Sequence, residues 1–197
     1  MQARPETLGI FGGTFDPPHH GHLIVASHVR EALNLDRIMF VPAAVPPHKR
    51  ERQISRGDMR LAMVEAAVQG DPYCVASSIE LNRGGVSYTV DTIRTLRKEM
   101  PSTQLTVLIG MDNLLDFENW KEPEAILREA SVVVMTRPGY APGLDDLSVL
   151  RQMHLCEVPH IDIAGKEIRR RVSEGMSIRY LVPEAVERYI REHGLYR

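Results

Sequence analysis

The sequence predicts an α/β protein, a parallel sheet with helices on both faces. Three observations carry that expectation. Short apolar runs alternate with helix-periodic segments along most of the chain, and strands that alternate with helices build parallel sheets. The chain has 197 residues, 43% hydrophobic and 25% charged, enough for a substantial core in one folded unit. Its unusual residues follow the apolar runs, and ligands of such sheets sit beyond the carboxyl ends of the strands.

Each element has its own signal. "LGIF" (8–11) reads as a first buried strand. From Gly21 the pattern turns helical, with Leu23, Ala26, Val29 and Leu33 spaced 3, 3 and 4 apart. "RIMFVP" (37–42) is a second strand, stopped by Pro42, and "AAVPPHKRERQ" (43–53) is a basic, proline-rich loop. Ser55 and Asp58 match a capping box, opening a helix that ends near Gly70. "YCVASSIEL" (73–81) reads as a strand, "NRGGVSY" as a loop, and Val90, Ile93, Leu96 and Met100 as one helix face. "QLTVLIG" (104–110) and "ASVVVMTR" (130–137) are strands, with one or two short helices broken at Pro123 between them. "PGYAPG" is a surface turn and "LCEV" a last short strand. Two helices follow, about 166–174 and 184–193, with Pro183 at the first turn of the second and Gly194 just past its end.

Composition excludes some functions. A formal net charge of -2 provides no basic field, so nucleic acid is not expected as a partner. "MQARPETLGIF" lacks the apolar core of a signal peptide, and no apolar run approaches membrane-spanning length. The expectation is a cytoplasmic protein with no membrane partner. Cys74 and Cys156 lie far apart, form no CxxC pair, and read as reduced thiols.

"GGTFDPPHHGHL" (12–23) asks why imidazoles gather at the mouth of a helix. Zinc is a weak answer, because His19 and His22 have no Cys or carboxylate at metal-like spacing beside them. Phosphate is a better one. Gly12 and Gly13 let backbone approach a ligand, Gly21 and His22 stand where free N–H groups begin a helix, and imidazoles donate to anions. The chain has no Walker A loop, since position 160 is His and Glu167 follows "AGK", and it has no GxGxxG fingerprint.

"GGTFDPPHHGH" resembles the HxGH signature of the nucleotidyltransferase superfamily. More narrowly, the chain resembles the bacterial nicotinate-nucleotide adenylyltransferases nearly end to end. The likeness is carried by "GGTFDPPHHGHL", "VPPHK", "ELNRGGVSYTVDT", "LIGMDNLLDFENW", "TRPGY", "IRRRV" and "YIREHGLYR". The resemblance implies a single Rossmann-like nucleotidyltransferase domain over 1–197, with a small helical part from about 160. It implies transfer of the AMP moiety of ATP to nicotinate mononucleotide, giving deamido-NAD and pyrophosphate in NAD biosynthesis. Mg²⁺ would ride on the ATP phosphates, with no metal held by the protein. A homo-oligomer is compatible with the resemblance.

It also implies roles. His19, His22 and Arg169 would be catalytic, the histidines on the ATP phosphates and Arg169 on the departing pyrophosphate. Gly12, Gly13, Thr14, Phe15, Gly110, Arg137 and Ile168 would bind ATP. His48, Lys49, Tyr88, Thr89, Asp112 and Trp120 would bind the nicotinate nucleotide, with Trp120 stacking on its ring and the Tyr88–Thr89 backbone meeting its carboxylate. Plainer readings exist for several: a core tryptophan, a helix-capping Asp112, a solvated Arg169. In one place the chain departs from the family. The late motif, roughly I-S-x-T-x-I-R, here reads Ile163, Ala164, Gly165, Lys166, Glu167, Ile168, Arg169, so both hydroxyls are missing. Lys166 is then either a replacement phosphate ligand or a surface residue paired with Glu167 or Asp162. Competing functions are adenylylation of nicotinamide mononucleotide or of both forms, phosphopantetheine adenylylation, and a regulatory nucleotide-binding module.

Overall fold

A computed structural model of the chain describes residues 4–46, 54–136 and 152–197. Among the described residues six strands form one sheet: β1 (Thr7–Gly13), β2 (Arg37–Pro42), β3 (Cys74–Ala76), β4 (Gln104–Gly110), β5 (Ser131–Thr136) and β6 (His154–Glu157). Their order is β3-β2-β1-β4-β5-β6, and every pairing is parallel. The chain steps outward from β1 to β3, then returns to the other side of β1 with β4. A crevice opens at that reversal, beyond the carboxyl ends of β1 and β4.

The helices are α1 (His20–Ala32), α2 (Gly57–Val68), α3 (Ile79–Arg83), α4 (Thr89–Glu99), α5 (Met111–Leu114), α6 (Pro123–Glu129), α7 (Gly165–Ser173) and α8 (Glu184–Glu192), with a 3-10 turn at Phe117–Asn119. Strand periodicity divides the core between two faces. Leu8, Ile10, Leu105, Val107, Ile109, Val132 and Val134 pack with Val90 and Ile93 of α4 and Ile126 of α6. The intervening Phe11, Leu108 and Val133 pack with Ala26 and Val29 of α1 and Val64 and Val68 of α2. This two-sided burial explains why the strands read as continuous apolar runs. A third cluster joins α7 and α8 to α2 through Ile168, Ile178, Val186, Ile190 and Met63. Met63 and Val64, adjacent on α2, thus serve different cores.

Three local expectations are corrected. The 73–81 strand is β3 followed by α3. The ladder stops after Ser77 N–H donates to the Phe40 carbonyl; then the Ser77 hydroxyl accepts from Ile79 N–H, and Asn82 N–H donates to the Ser78 carbonyl, winding a helical turn. Ser55 and Asp58 form no capping box. Arg56 is the N-cap of α2, Ser55 N–H donates to Asp16 Oδ2 at 3.1 Å, and Asp58 bonds Arg56 and Met59 N–H. Pro183 is the N-cap of α8 rather than its first helical residue. The "PGYAPG" turn lies outside the described residues.

Candidate active site

The histidine motif runs from the end of β1 into α1. His19 is the N-cap of α1 in extended conformation, and His22 is the third helical residue. His19 N–H donates to His22 Nδ1 at 3.2 Å, half of a capping box in which imidazole replaces the usual Glu. With Nδ1 accepting, a neutral His22 carries its proton on Nε2. The two rings stack with centroids 3.7 Å apart, and His22 also meets the Phe15 ring at 5.0 Å. Burial first, then a neighbouring imidazole, lowers His19 to about 4 and His22 to about 3. Both are neutral near pH 7, so each ring offers one N–H and no charge. His19 Nδ1 is buried without a hydrogen-bond partner among the described residues.

Phe15 shapes the loop before the histidines. It adopts φ +50, costly for a bulky residue. Its ring is buried against Phe11 and Phe40. Gly13 lies beneath that ring: a Cβ there would come within 2.9 Å of Phe15 Cζ. With its ring buried, Phe15 has only its backbone to present to a ligand.

A cavity of about 340 Å³ lies at the β1–β4 reversal. Gly12, Gly13 and Thr14 line one wall; Tyr88, Thr89 and Trp120 line another. The first turn of α4 faces this space. Asp91 and Thr92 N–H groups donate to the Tyr88 carbonyl, whereas those of Thr89 and Val90 have no intrahelical acceptor. Lys121 closes the wall, its Nζ 4.9 Å from the Tyr88 ring centroid and 3.0 Å from Asp91 Oδ2. Trp120 is half-buried against Phe117, ring centroids 5.3 Å apart.

Glu80 also lines the cavity and is only 7% exposed. It accepts from Thr92 Oγ1 at 2.6 Å, which ties α3 to the first turn of α4. Asn113 and Asn119 add two amides to the lining. Glu80, Asn113 and Asn119 escaped sequence reasoning. Glu80 sat in a segment read as strand, and an asparagine among short helices carries no distinctive signal.

The remaining expected residues fall differently. Gly110 is the N-cap of α5, and Asp112 is exposed on that helix's first turn, outside the cavity lining; a capping role for Asp112 is corrected. Ile168 is fully buried in the third cluster and its N–H donates to the Ala164 carbonyl, so it is a core residue rather than part of the cavity wall. Lys166 is exposed in the first turn of α7 without a partner among the described residues, while Glu167 pairs with Arg170 and Arg171. His48, Lys49 and Arg137 lie outside the described residues.

Arg169 reaches the histidine loop, its Nη1 donating to the Asp16 carbonyl at 2.6 Å. A Cβ on Gly165 would meet that same carbonyl oxygen at 3.1 Å. Gly165 thus makes room for the loop. Asp16 is buried; its Oδ1 accepts from the Tyr196 hydroxyl at 2.6 Å. Burial, then this bond, raises the Tyr196 phenol above its ordinary value. Arg60, 1% exposed, lies on the other side of the same loop. It shares a helix face with Met63, Val64 and Ala67 (i, i+3, i+4, i+7), a spacing too weak by itself to mark an arginine as buried.

Among the described residues no group of three or more His, Cys, Asp or Glu is placed to hold a metal ion, and no helix is long and apolar enough to cross a membrane.

Residues 10–171 match a family model described as cytidylyltransferase-like. Together with the parallel sheet and the glycine–histidine loop at its reversal, this defines a nucleotidyltransferase. The "Probable nicotinate-nucleotide adenylyltransferase" of Thermomicrobium roseum is 47% identical over 195 residues, covering 96% of this chain and 91% of that protein. The protein of that name from Thermus thermophilus is 46% identical over 190 residues, covering 96% and 99%. The chain belongs to the nicotinate-nucleotide adenylyltransferase family. Its fold is also that of the solved Plasmodium falciparum nicotinic acid mononucleotide adenylyltransferase complexed with NaAD, with TM-score 0.78, 18% identity and 97% of each chain covered.

Proposed function

We propose that the chain is a single nucleotidyltransferase domain that joins nicotinate mononucleotide to the AMP moiety of ATP. The products are deamido-NAD and pyrophosphate, and the work is done in the cytoplasm. The observation that carries this reading is the cavity at the β1–β4 reversal. One wall is the glycine loop leading to His19 and His22, and the other is the first turn of α4 with Trp120.

The nucleophile is a phosphate oxygen of the mononucleotide, already largely dianionic at neutral pH. It needs no general base. A bond forms from that oxygen to the α-phosphorus of ATP, and the bond to the β-phosphate oxygen breaks, releasing pyrophosphate. Two anions must be brought together and the developing charge stabilised. His22, with its proton on Nε2, donates to the reacting phosphate. His19 stacks on His22 and shares the phosphate side. Arg169 braces the loop and leaves its remaining N–H groups for pyrophosphate. Mg²⁺ travels on the ATP phosphates and neutralises part of their charge. Gly12, Gly13, Thr14 and the Phe15 backbone hold ATP, together with Gly110, Arg137 and Lys166. The Thr89 and Val90 N–H groups, without an intrahelical acceptor at the positive end of α4, receive the nicotinate carboxylate. Trp120 and Tyr88 flank the ring, and His48, Lys49 and Asp112 complete the mononucleotide site.

The test is pyrophosphate release from MgATP with each of three acceptors: nicotinate mononucleotide, nicotinamide mononucleotide and phosphopantetheine. Release with the acid form, and deamido-NAD as product, is expected. Release with phosphopantetheine alone, or with no acceptor, would overturn the reading.

A further inference from the structure

Arg60 is a buried cation whose hydrogen bonds among the described residues all go to main-chain carbonyls. Nε donates to Ser55 O at 2.9 Å, Nη1 to Thr14 O at 2.8 Å, and Nη2 to Ala43 O at 2.7 Å and Ala44 O at 3.4 Å. These carbonyls belong to three separate segments: the loop after β1, the loop after β2, and the approach to α2. Thr14 and Ala43 both line the cavity. Burying a guanidinium is expensive, and an apolar side chain of similar volume fills such a site without that cost. The fork geometry suits the tethering of several oxygens in fixed directions.

One tether bears on the histidine loop. In a trans peptide the carbonyl and the following N–H point opposite ways. Arg60 holds the Thr14 carbonyl, so the Phe15 N–H is turned away from the arginine. That N–H has no acceptor among the described residues. Phe15 holds its φ of +50 with its ring locked between Phe11, Phe40 and His22. The peptide is thus pinned at its oxygen by Arg60 and at its side chain by the core. The next residue is pinned as well. Asp16 accepts from Ser55 N–H, from the Tyr196 hydroxyl and, through its main-chain oxygen, from Arg169.

We propose that Arg60, seconded by Tyr196, is a positioning residue that holds the Thr14–Asp16 backbone, with the Phe15 N–H as a preorganised donor for the ATP phosphates. Neither side chain touches substrate. The role rests on the adenylyltransferase reading of the site, because it assigns that loop to ATP rather than to the pyridine nucleotide.

The experiment compares Arg60→Met, Arg60→Lys and Tyr196→Phe with the parent. ATP affinity is measured by calorimetry, KM is measured for each substrate, and folding is followed by circular dichroism. Arg60→Met is expected to weaken ATP binding at least tenfold, with KM for nicotinate mononucleotide within about twofold of the parent. Arg60→Lys, which keeps the charge but loses the fork, recovers part of the loss. Tyr196→Phe moves ATP affinity in the same direction by a smaller factor, and it gives the same readout if Arg60→Met fails to fold. Parental ATP affinity in the folded Arg60→Lys and Tyr196→Phe proteins would overturn the proposal. So would equal weakening of both substrates, the mark of general loosening. If the parent binds ATP but transfers nothing to nicotinate mononucleotide, the functional reading fails; the ATP affinities of the variants still decide the role of Arg60.

Discussion

In the proposed reaction His22 acts through one hydrogen-bonded ring. Its Nδ1 is occupied by His19 N–H, which leaves Nε2–H as the donor. Removing one preorganised donor of this kind costs about 10²–10³ in rate. His22→Ala should therefore lose about that factor in kcat and keep its circular dichroism spectrum. Near-parental turnover in the folded variant would remove His22 from the reaction. The stacked pair also makes stability depend on pH. In the unfolded chain each ring takes a proton near the ordinary 6.5, but in the native protein only near about 4 for His19 and about 3 for His22. Between those values the unfolded state binds more protons, so stability falls as pH falls below 6.5. The fall in Tm from pH 7 to pH 4.5 should be steeper for the parent than for His19→Gln. Equal slopes would mean that the pair titrates natively as freely as in the unfolded chain.

At the scale of elements, the proposed function assigns one substrate to each of two helix starts. The first turn of α4 offers N–H groups unpaired among the described residues, which suit a carboxylate and oppose the NH₂ of an amide donor to donor. Nicotinate mononucleotide should be preferred over the amide form in kcat/KM, and equal values would sink the carboxylate site. Trp120→Ala should raise KM for the pyridine nucleotide far more than KM for ATP. If that variant unfolds instead, Trp120 is a core residue, an extension of its contact with Phe117. In the proposed function the start of α7 is the counterpart on the phosphate side. Lys166 stands there exposed and unpaired among the described residues, since Glu167 is engaged with Arg170 and Arg171. A cation is disfavoured at that end of a helix unless an anion is bound nearby. Lys166→Ala should raise KM for ATP, and Lys166→Thr, which restores a family hydroxyl, should recover part of the loss. Unchanged ATP kinetics in both would leave Lys166 a surface residue.

In the molecule as a whole, the α7–α8 part reaches the histidine loop from a core of its own. Ile168 lies at the centre of that third cluster. Ile168→Ala should cost about 2–5 kcal/mol, with Tm falling by roughly 2–4 °C for each kcal/mol in a chain of this size. A large rise in KM for ATP without a loss of Tm would restore Ile168 to the binding site. The same part reaches the loop through Arg169 and Tyr196, both on Asp16, so loosening this core is expected to reach the phosphate side before the pyridine side.

Much of this architecture was legible in the amino-acid order. β1, β2, β4 and β5 were readable because a strand buried on both faces leaves one uninterrupted apolar run. The glycine–histidine loop was readable because glycines, a helix start and imidazoles together have few other uses. What tertiary structure decided was the pairing of polar groups. The 73–81 run carries strand-like residues, yet the end of the β2 ladder and the Glu80–Thr92 bond make its second half a helix. Arg60 looks like any solvated helix arginine until Thr14, Ala43 and Ser55 are folded around it. Asp16 and Tyr196 are 180 residues apart in sequence and 2.6 Å apart in the fold. Periodicity and composition report which face of an element is buried, because burial depends on each residue's own character. They do not report which distant donor satisfies a buried acceptor, because that depends on where the rest of the chain comes to lie.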